Sequence, residues 1–275
     1  MSYKIPAEIA SAAVDSAIKK SRLPLLSMVV LGFLAGSYIA MGGYFMTVVT
    51  QDASGFVGLG ISKLLGGIVF ALGLLLVIAA GGELFTGNCI MPIAILSGKV
   101  SWAAAARNLI VVYISNLVGG IFFAWILYLS GTITPSCAQT ALSIAVAKVN
   151  IPLGEMIIRG ILCNWFVALA VWIAFGALDM SGKYIACLMP ISAFVAMGFE
   201  HCVANMYFIS LGLFLKNDAA VMTQCQLPAE KLMNLTPLGY WRNLIPVTFG
   251  NMIGAAVLVG VLYYIVFKKG LSKDI

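Results

Sequence analysis

Apolar residues run along this chain in long blocks, at roughly 27–50, 64–98, 108–130, 157–178, 184–215 and 244–267, and charged residues fall mainly between them. A helix needs about 20 apolar residues to cross a hydrocarbon core ~30 Å thick. The pattern therefore predicts six membrane spans in an all-α integral membrane protein, with residues 1–275 forming one transmembrane domain. Two blocks have the wrong length. Lys63 to Lys99 encloses 35 residues with Glu83 as their one charged side chain, and Lys183 to Lys216 encloses 32 with Glu200 and the chain's single histidine, His201. As a straight helix either block would be roughly 50 Å long at ~1.5 Å per residue. That is too long for one span and too short for two with a turn. Each is predicted to be a span broken inside the membrane, with its polar residues at the break, which is tolerated only where backbone is buried in protein or lines a cavity.

The chain repeats itself. Arg107-Asn108-Leu109-Ile110, Val112, Asn116 and Gly119 recur at the same spacing as Arg242-Asn243-Leu244-Ile245, Val247, Asn251 and Gly254, and Glu83 with Asn88 recurs as Glu200 with Asn205. Residues 27–130 thus match 157–267. Three spans per copy bring the second copy in from the opposite side, giving a 3+3 inverted repeat with spans 2 and 5 broken. Paired, Gly-interrupted segments of this kind point to a transport site. Gly32 and Gly36 in span 1, and Gly66, Gly67, Gly81, Gly82 and Gly87 in span 2, would let helices approach closely. Ahead of the first span, residues 1–24 form a lead-in segment. Within it, residues 6–22 read as a short helix with Ile9, Ala13 and Ala17 on one face, lying at the inner membrane surface. A solvated lead-in fits the same residues equally well.

Composition agrees with the class. Hydrophobic residues make up 62% of the chain, charged residues 9%, and mean hydropathy is +1.04, against about a quarter charged in a soluble domain. The net charge of +6 is spread over short loops, which argues against nucleic acid as a partner. No cleavable leader is expected, because the first apolar block starts late and has full span length; it would act as an uncleaved anchor. Placing the N-terminus inside puts Lys4, Lys19, Lys20, Arg22, Lys99, Arg107, Lys183, Lys268, Lys269 and Lys273 in the cytoplasm. Lys63, Lys148, Arg159, Lys216, Lys231 and Arg242 then lie outside. Ten against six predicts cytoplasmic termini.

His201 carries the most chemical interest. An ionisable side chain at a break within the membrane marks a functional site more often than not, and histidine changes charge near neutral pH. A small anion stripped of water costs tens of kcal/mol in hydrocarbon unless compensated. A histidine could stay protonated and attract it, or donate a proton so that a neutral acid crosses. Glu83 and Glu200 would repel anions, so they are expected to support the breaks by capping freed backbone amides. Asn88 and Asn205 are expected to satisfy backbone groups in the same way. Thr86 either does likewise or presents its hydroxyl to a passing ion.

Gly82-Glu83-Leu84-Phe85-Thr86-Gly87-Asn88 and Gly198-Phe199-Glu200-His201-Cys202-Val203-Ala204-Asn205-Met206 resemble the two signature segments of the formate/nitrite transporter family. Arg159-Gly160-Ile161-Leu162-Cys163-Asn164-Trp165 and Asn243-Leu244-Ile245-Pro246-Val247-Thr248-Phe249-Gly250-Asn251 resemble its fourth and sixth spans. The resemblance covers nearly the whole chain. It implies an aquaporin-like fold in a homopentamer of the cell (inner or plasma) membrane, with one pore per subunit. It also implies passage of small monovalent anions of weak acids: formate, nitrite or hydrosulfide, without a cofactor. On this basis His201 is the central histidine and Thr86 the loop threonine. Leu84 with Phe194 would form the cytoplasmic-side constriction, Phe70 with Leu74 the other, and Lys148 with Asn164 an outer vestibule that attracts anions. Cys163-Asn164-Trp165 is similar to nitrite-type members and Asn205-Met206-Tyr207-Phe208 to formate-type ones; formate is favoured.

Two other classes fit the sequence less well. A metalloenzyme needs several His, Cys or carboxylate ligands, whereas the chain has one histidine and its six cysteines include no CxxC pair. A water or neutral-solute channel of aquaporin type would carry Asn-Pro-Ala at both breaks, and neither has it. Cys137 and Cys225 fall in outer loops and could pair in an oxidising compartment.

Overall fold

The computed structural model describes residues 3–271, which are helical almost throughout; Lys273, assigned above to the cytoplasm, lies outside them. The main helices are α1 (Pro6–Ser21), α2 (Leu25–Thr50), α3 (Leu59–Gly81), α4 (Phe85–Leu96), α5 (Trp102–Leu129), α6 (Pro135–Val149), α7 (Leu153–Gly176), α8 (Met180–Ala196), α9 (Cys202–Lys216) and α10 (Pro237–Leu271). Five of them, α2, α3, α5, α7 and α10, are long and apolar enough to cross a membrane; α4, α8 and α9 are shorter apolar helices. The blocks centred on Glu83 and Glu200 are each divided, into α3 with α4 and α8 with α9.

Local chemistry sets the helix starts. The side chains of Ser101, Thr134, Asp179 and Thr236 accept the first free amides of α5, α6, α8 and α10, which replaces the water those donors would otherwise need. Pro6, Pro135 and Pro237 occupy first-turn positions where no amide is missed.

Packing follows the internal repeat. α2 crosses α5 where a Cβ on Gly119 would sit 2.0 Å from the Phe33 carbonyl oxygen, and α7 crosses α10 where one on Gly254 would sit 2.2 Å from that of Ile161. Any side chain at either glycine would push the helices apart. Gly119 and Gly254 are repeat equivalents, so both halves use one crossing.

Three expectations change. α1 is neither a solvated lead-in nor a helix whose apolar stripe faces lipid: Ile9, Ala10, Ala13, Val14 and Ala17 are buried, and the helix packs on α4, α7 and α10 with Ile9 against Gly176. The stretch carrying Lys148, read as an outer loop, is helix α6, which buries Ala138, Ala141, Leu142 and Ala145. α6 seals α9 much as α1 seals α4. Cys137 and Cys225 are both free thiols, so the pairing considered for them is not formed.

Candidate functional site

The two breaks are built alike. α3 ends at Gly81 with φ +93°, and α8 is followed by Gly198 with φ +77°, a left-handed conformation that glycine adopts without strain. The chain then runs extended through Leu84 to start α4 and through His201 to start α9. An extended segment in a dry interior needs partners for its amides and carbonyls. Leu31 O accepts from Glu83 N (3.1 Å) and Arg159 O from Glu200 N (3.3 Å). Asn116 Oδ1 accepts from Phe85 N at 2.9 Å, and Asn116 Nδ2 donates to the carbonyls of Gly32 (2.7 Å) and Glu83 (2.8 Å). Asn251 repeats this with Cys202 N (2.8 Å), Gly160 O (2.7 Å) and Glu200 O (2.9 Å).

The capping expected of Glu83 and Glu200 is thus performed by Asn116 and Asn251. The sequence marks both as repeat equivalents but assigns neither a capping role. The glutamates instead anchor a buried polar cluster in each half. Glu83 takes Lys20 Nζ at 2.6 Å and Asn88 Nδ2 at 2.7 Å, and Asn88 also donates to Asn108 Oδ1 at 2.8 Å. Glu200 takes Lys148 Nζ at 2.9 Å and Asn205 Nδ2 at 2.7 Å, and Asn205 donates to Asn243 Oδ1 at 2.8 Å. Asn108 and Asn243 reach the Lys20 and Lys148 carbonyls, closing each cluster. Asn88 and Asn205 therefore bind side chains rather than the backbone groups assigned to them. Each lysine belongs to the last turn of the helix that seals its half.

This changes the role of Lys148. The resemblance implies that it draws anions into a vestibule; in the structure its charge is matched by Glu200 and its ammonium lies 5.5 Å above the Phe208 ring. Asn164, assigned to the same vestibule, is fully buried and donates to the carbonyls of Thr86 (3.1 Å) and Asn251 (2.8 Å). It ties the start of α4 to α10 and lines neither cavity.

Two cavities approach the breaks from opposite ends. One, of about 390 Å³, is lined by Lys20, Leu74, Glu83, Leu84, Phe175 and Lys183 among others. The second, of about 350 Å³, is lined by Lys63, Phe70, Lys148, Phe194, Glu200 and His201 among others. They share no lining residue, and Gly81 to Leu84 in the first correspond to Gly198 to His201 in the second. Between them lies a septum of buried side chains: Phe70, Leu74, Leu84, Thr86, Phe194, His201 and Phe208. The expected constriction pairs are redistributed. Leu84 lines the first cavity with Leu74, whereas Phe70 lines the second with Phe194, their rings edge to face at 6.0 Å. Phe208, overlooked as a site residue, stacks on Phe70 at 6.5 Å.

His201 lies in this septum with both ring nitrogens engaged. Nδ1 accepts the Ala204 amide at 3.0 Å, capping α9, and Nε2 meets Thr86 Oγ1 at 2.9 Å. A backbone amide can only donate, so the neutral ring carries its proton on Nε2. His201 is the repeat equivalent of Leu84. The two halves thus differ in chemistry where the cavities come closest, with an apolar side chain in one and a donor in the other. Phe194 stacks on the imidazole at 6.0 Å and shields it.

Fold and site together define a multi-pass membrane protein with two opposed cavities meeting at a septum of buried side chains. The sequence matches the profile of the Formate/nitrite transporter family over residues 7–265, and the chain belongs to that family. It is 40% identical to the uncharacterized transporter YrhG of Bacillus subtilis over 98% of this chain and 96% of that protein. It is 34% identical to the formate channel FocA of Escherichia coli K12 over 96% and 95%. A solved structure described as a pentameric formate channel with formate bound superimposes with a TM-score of 0.79 at 32% identity, covering 89% of this chain and 98% of that one.

Proposed function

We propose that this protein conducts small monovalent anions of weak acids across the cell membrane, formate first among them, and that the anion crosses the septum together with a proton. α3 with α4 and α8 with α9 form two broken spans which, with α2, α5, α7 and α10, make six. The halves are inverted about a pseudo-two-fold axis in the membrane plane, both termini are cytoplasmic, and five copies assemble with one pathway each. Support for the assembly and for formate comes from the relatives, among them FocA and the pentameric formate channel. Recurrence of the asparagine and glutamate bonds at the two breaks supports the inverted repeat.

The observation that carries the mechanism is the His201–Thr86 contact between the two cavities. A carboxylate entering an apolar septum loses hydration, which favours its neutral acid. His201 Nε2–H donates to Thr86 Oγ1; an anion that parts this contact meets two donors, the Nε2–H and the Thr86 hydroxyl, while Phe70, Phe194 and Phe208 exclude ions that stay charged. A second proton on the imidazole would have to reside on Nδ1 and break the bond from Ala204. The geometry therefore favours His201 as a hydrogen-bond donor, with the anion's proton taken from cavity water. The test is uptake of formate, nitrite and hydrosulfide into proteoliposomes at two pH values, for wild type and His201→Ala. Uptake of formate that rises at lower pH and is lost in the variant supports the reading; a variant with unchanged rates and unchanged pH dependence refutes it.

A further inference from the structure

Each cavity is lined by three charged residues, two lysines and one glutamate. In the first these are Lys20, Glu83 and Lys183; in the second, Lys148, Glu200 and Lys63. The glutamate of each set is bound to one lysine, Lys20 at 2.6 Å and Lys148 at 2.9 Å. These pairs are the structural centres of the two breaks and contribute no net charge. The remaining lysine in each set forms no ion pair among the described residues. Lys63 is exposed near the start of α3, and Lys183 is half-buried near the start of α8. Asp179 precedes Lys183 by one turn, but its carboxylate is held by the Gly182 amide at 2.6 Å. The arrangement is close to repeat-symmetric: Lys63 stands eighteen residues before Gly81, and Lys183 fifteen before Gly198, a difference of one helical turn.

We propose that Lys63 and Lys183 are the anion-capturing charges of the two mouths, each setting the positive potential of its cavity, and that the buried lysines Lys20 and Lys148 do not serve this purpose. The inference rests on the anion-conducting reading above and assigns residues to its entry step. A cavity with low-dielectric walls focuses the field of a single unbalanced charge and raises the local concentration of an oppositely charged solute. An ion pair closed at under 3 Å projects little field. The ligand is any small monovalent anion, because a lone ammonium above an apolar funnel selects charge and size rather than shape. Ser54 and Ser62 line the second cavity with Lys63 and offer hydroxyls to an anion after capture, whereas the Thr50 and Thr140 hydroxyls already donate to the Met46 and Gln51 carbonyls.

The experiment measures initial formate uptake, below saturation, into right-side-out and inverted membrane vesicles at about 0.01 M and about 1 M ionic strength, where the screening length is roughly 30 Å and 3 Å. Lys63→Gln is expected to slow uptake roughly two- to fourfold at low salt in one vesicle orientation, and Lys183→Gln in the other. Both should converge on wild type at high salt, while Lys63→Arg and Lys183→Arg behave as wild type. Equal rates for wild type and Gln variants at low salt would overturn the proposal and leave both residues as lysines that merely flank the membrane. A loss that persists at high salt would overturn it too, by indicating a structural role. Wild-type vesicles that take up no formate would refute the conducting function itself, which this design keeps separate.

Discussion

Replacing His201 in two ways separates its work as a helix cap from its work in the pathway. Nδ1 caps α9 through the Ala204 amide, and Nε2 meets Thr86 Oγ1. His201→Ala removes both contacts. Losing an N-cap costs about 1 kcal/mol, a small part of the stability of a membrane bundle, so the protein should still assemble. His201→Asn keeps an acceptor at the cap position, because asparagine is among the best N-caps, but its side chain is too short to present a donor at the former Nε2 position. A hydrogen bond to a charged partner contributes about 1.5–3 kcal/mol, and each 1.4 kcal/mol is a factor of ten in rate, so both variants should conduct formate roughly ten- to a hundredfold more slowly. Their stabilities should differ: thermal unfolding in detergent would place His201→Asn near wild type and His201→Ala below it. Refutation would come from His201→Asn conducting like wild type while His201→Ala does not, since the histidine would then matter only as a cap.

The buried clusters make further predictions. Lys148→Gln leaves Glu200 as an unpaired buried carboxylate, which costs about 3–5 kcal/mol; a markedly lower unfolding temperature is expected, with much of the loss recovered in Lys148→Gln/Glu200→Gln. If the single variant unfolds like wild type, the Lys148–Glu200 pair is not structurally important. Asn251→Ala strands the Cys202 amide and the Glu200 carbonyl and removes the second bond to the Gly160 carbonyl. At about 1–3 kcal/mol for each unsatisfied buried group, little folded protein should be recovered, and Asn116→Ala should behave the same way. Normal yield of either would show that water replaces the asparagine. Gly254→Val should separate α7 from α10 and abolish assembly as judged by size-exclusion chromatography; an intact assembly would show that the crossing tolerates a side chain.

Much of this architecture was legible in the sequence because a membrane makes few exceptions. The overlong blocks around Glu83 and Glu200 fixed where the helices had to stop, and the matched spacing of Asn108 with Asn116 and Asn243 with Asn251 revealed the repeat. The partners of the glutamates were not legible. Lys20 and Lys148 lie far from Glu83 and Glu200 in sequence and meet them only because α1 and α6 fold back over the breaks. One signal was available: Lys20 and Lys148 each close an amphipathic stretch just before the first span of their half. Asn116 and Asn251 were visible as a repeated pair, but periodicity records recurrence and says nothing of which amide a side chain reaches. Sorting Leu74 and Leu84 to one cavity, and Phe70 and Phe194 to the other, required knowing how α3 and α8 pack face to face, since their residues are distant along the chain. Alignment of Leu84 with His201 was within reach, because Glu83 and Glu200 had already been matched.

The central claim is that the anion passes the septum with a proton, between His201 and Thr86. It is tested most directly by the proton count per formate. Proteoliposomes loaded with a pH-sensitive dye should acidify by one proton for each formate taken up, beyond the slow background of protein-free vesicles and with no accompanying current. Formate entry that carries current and leaves the internal pH unchanged would contradict the account.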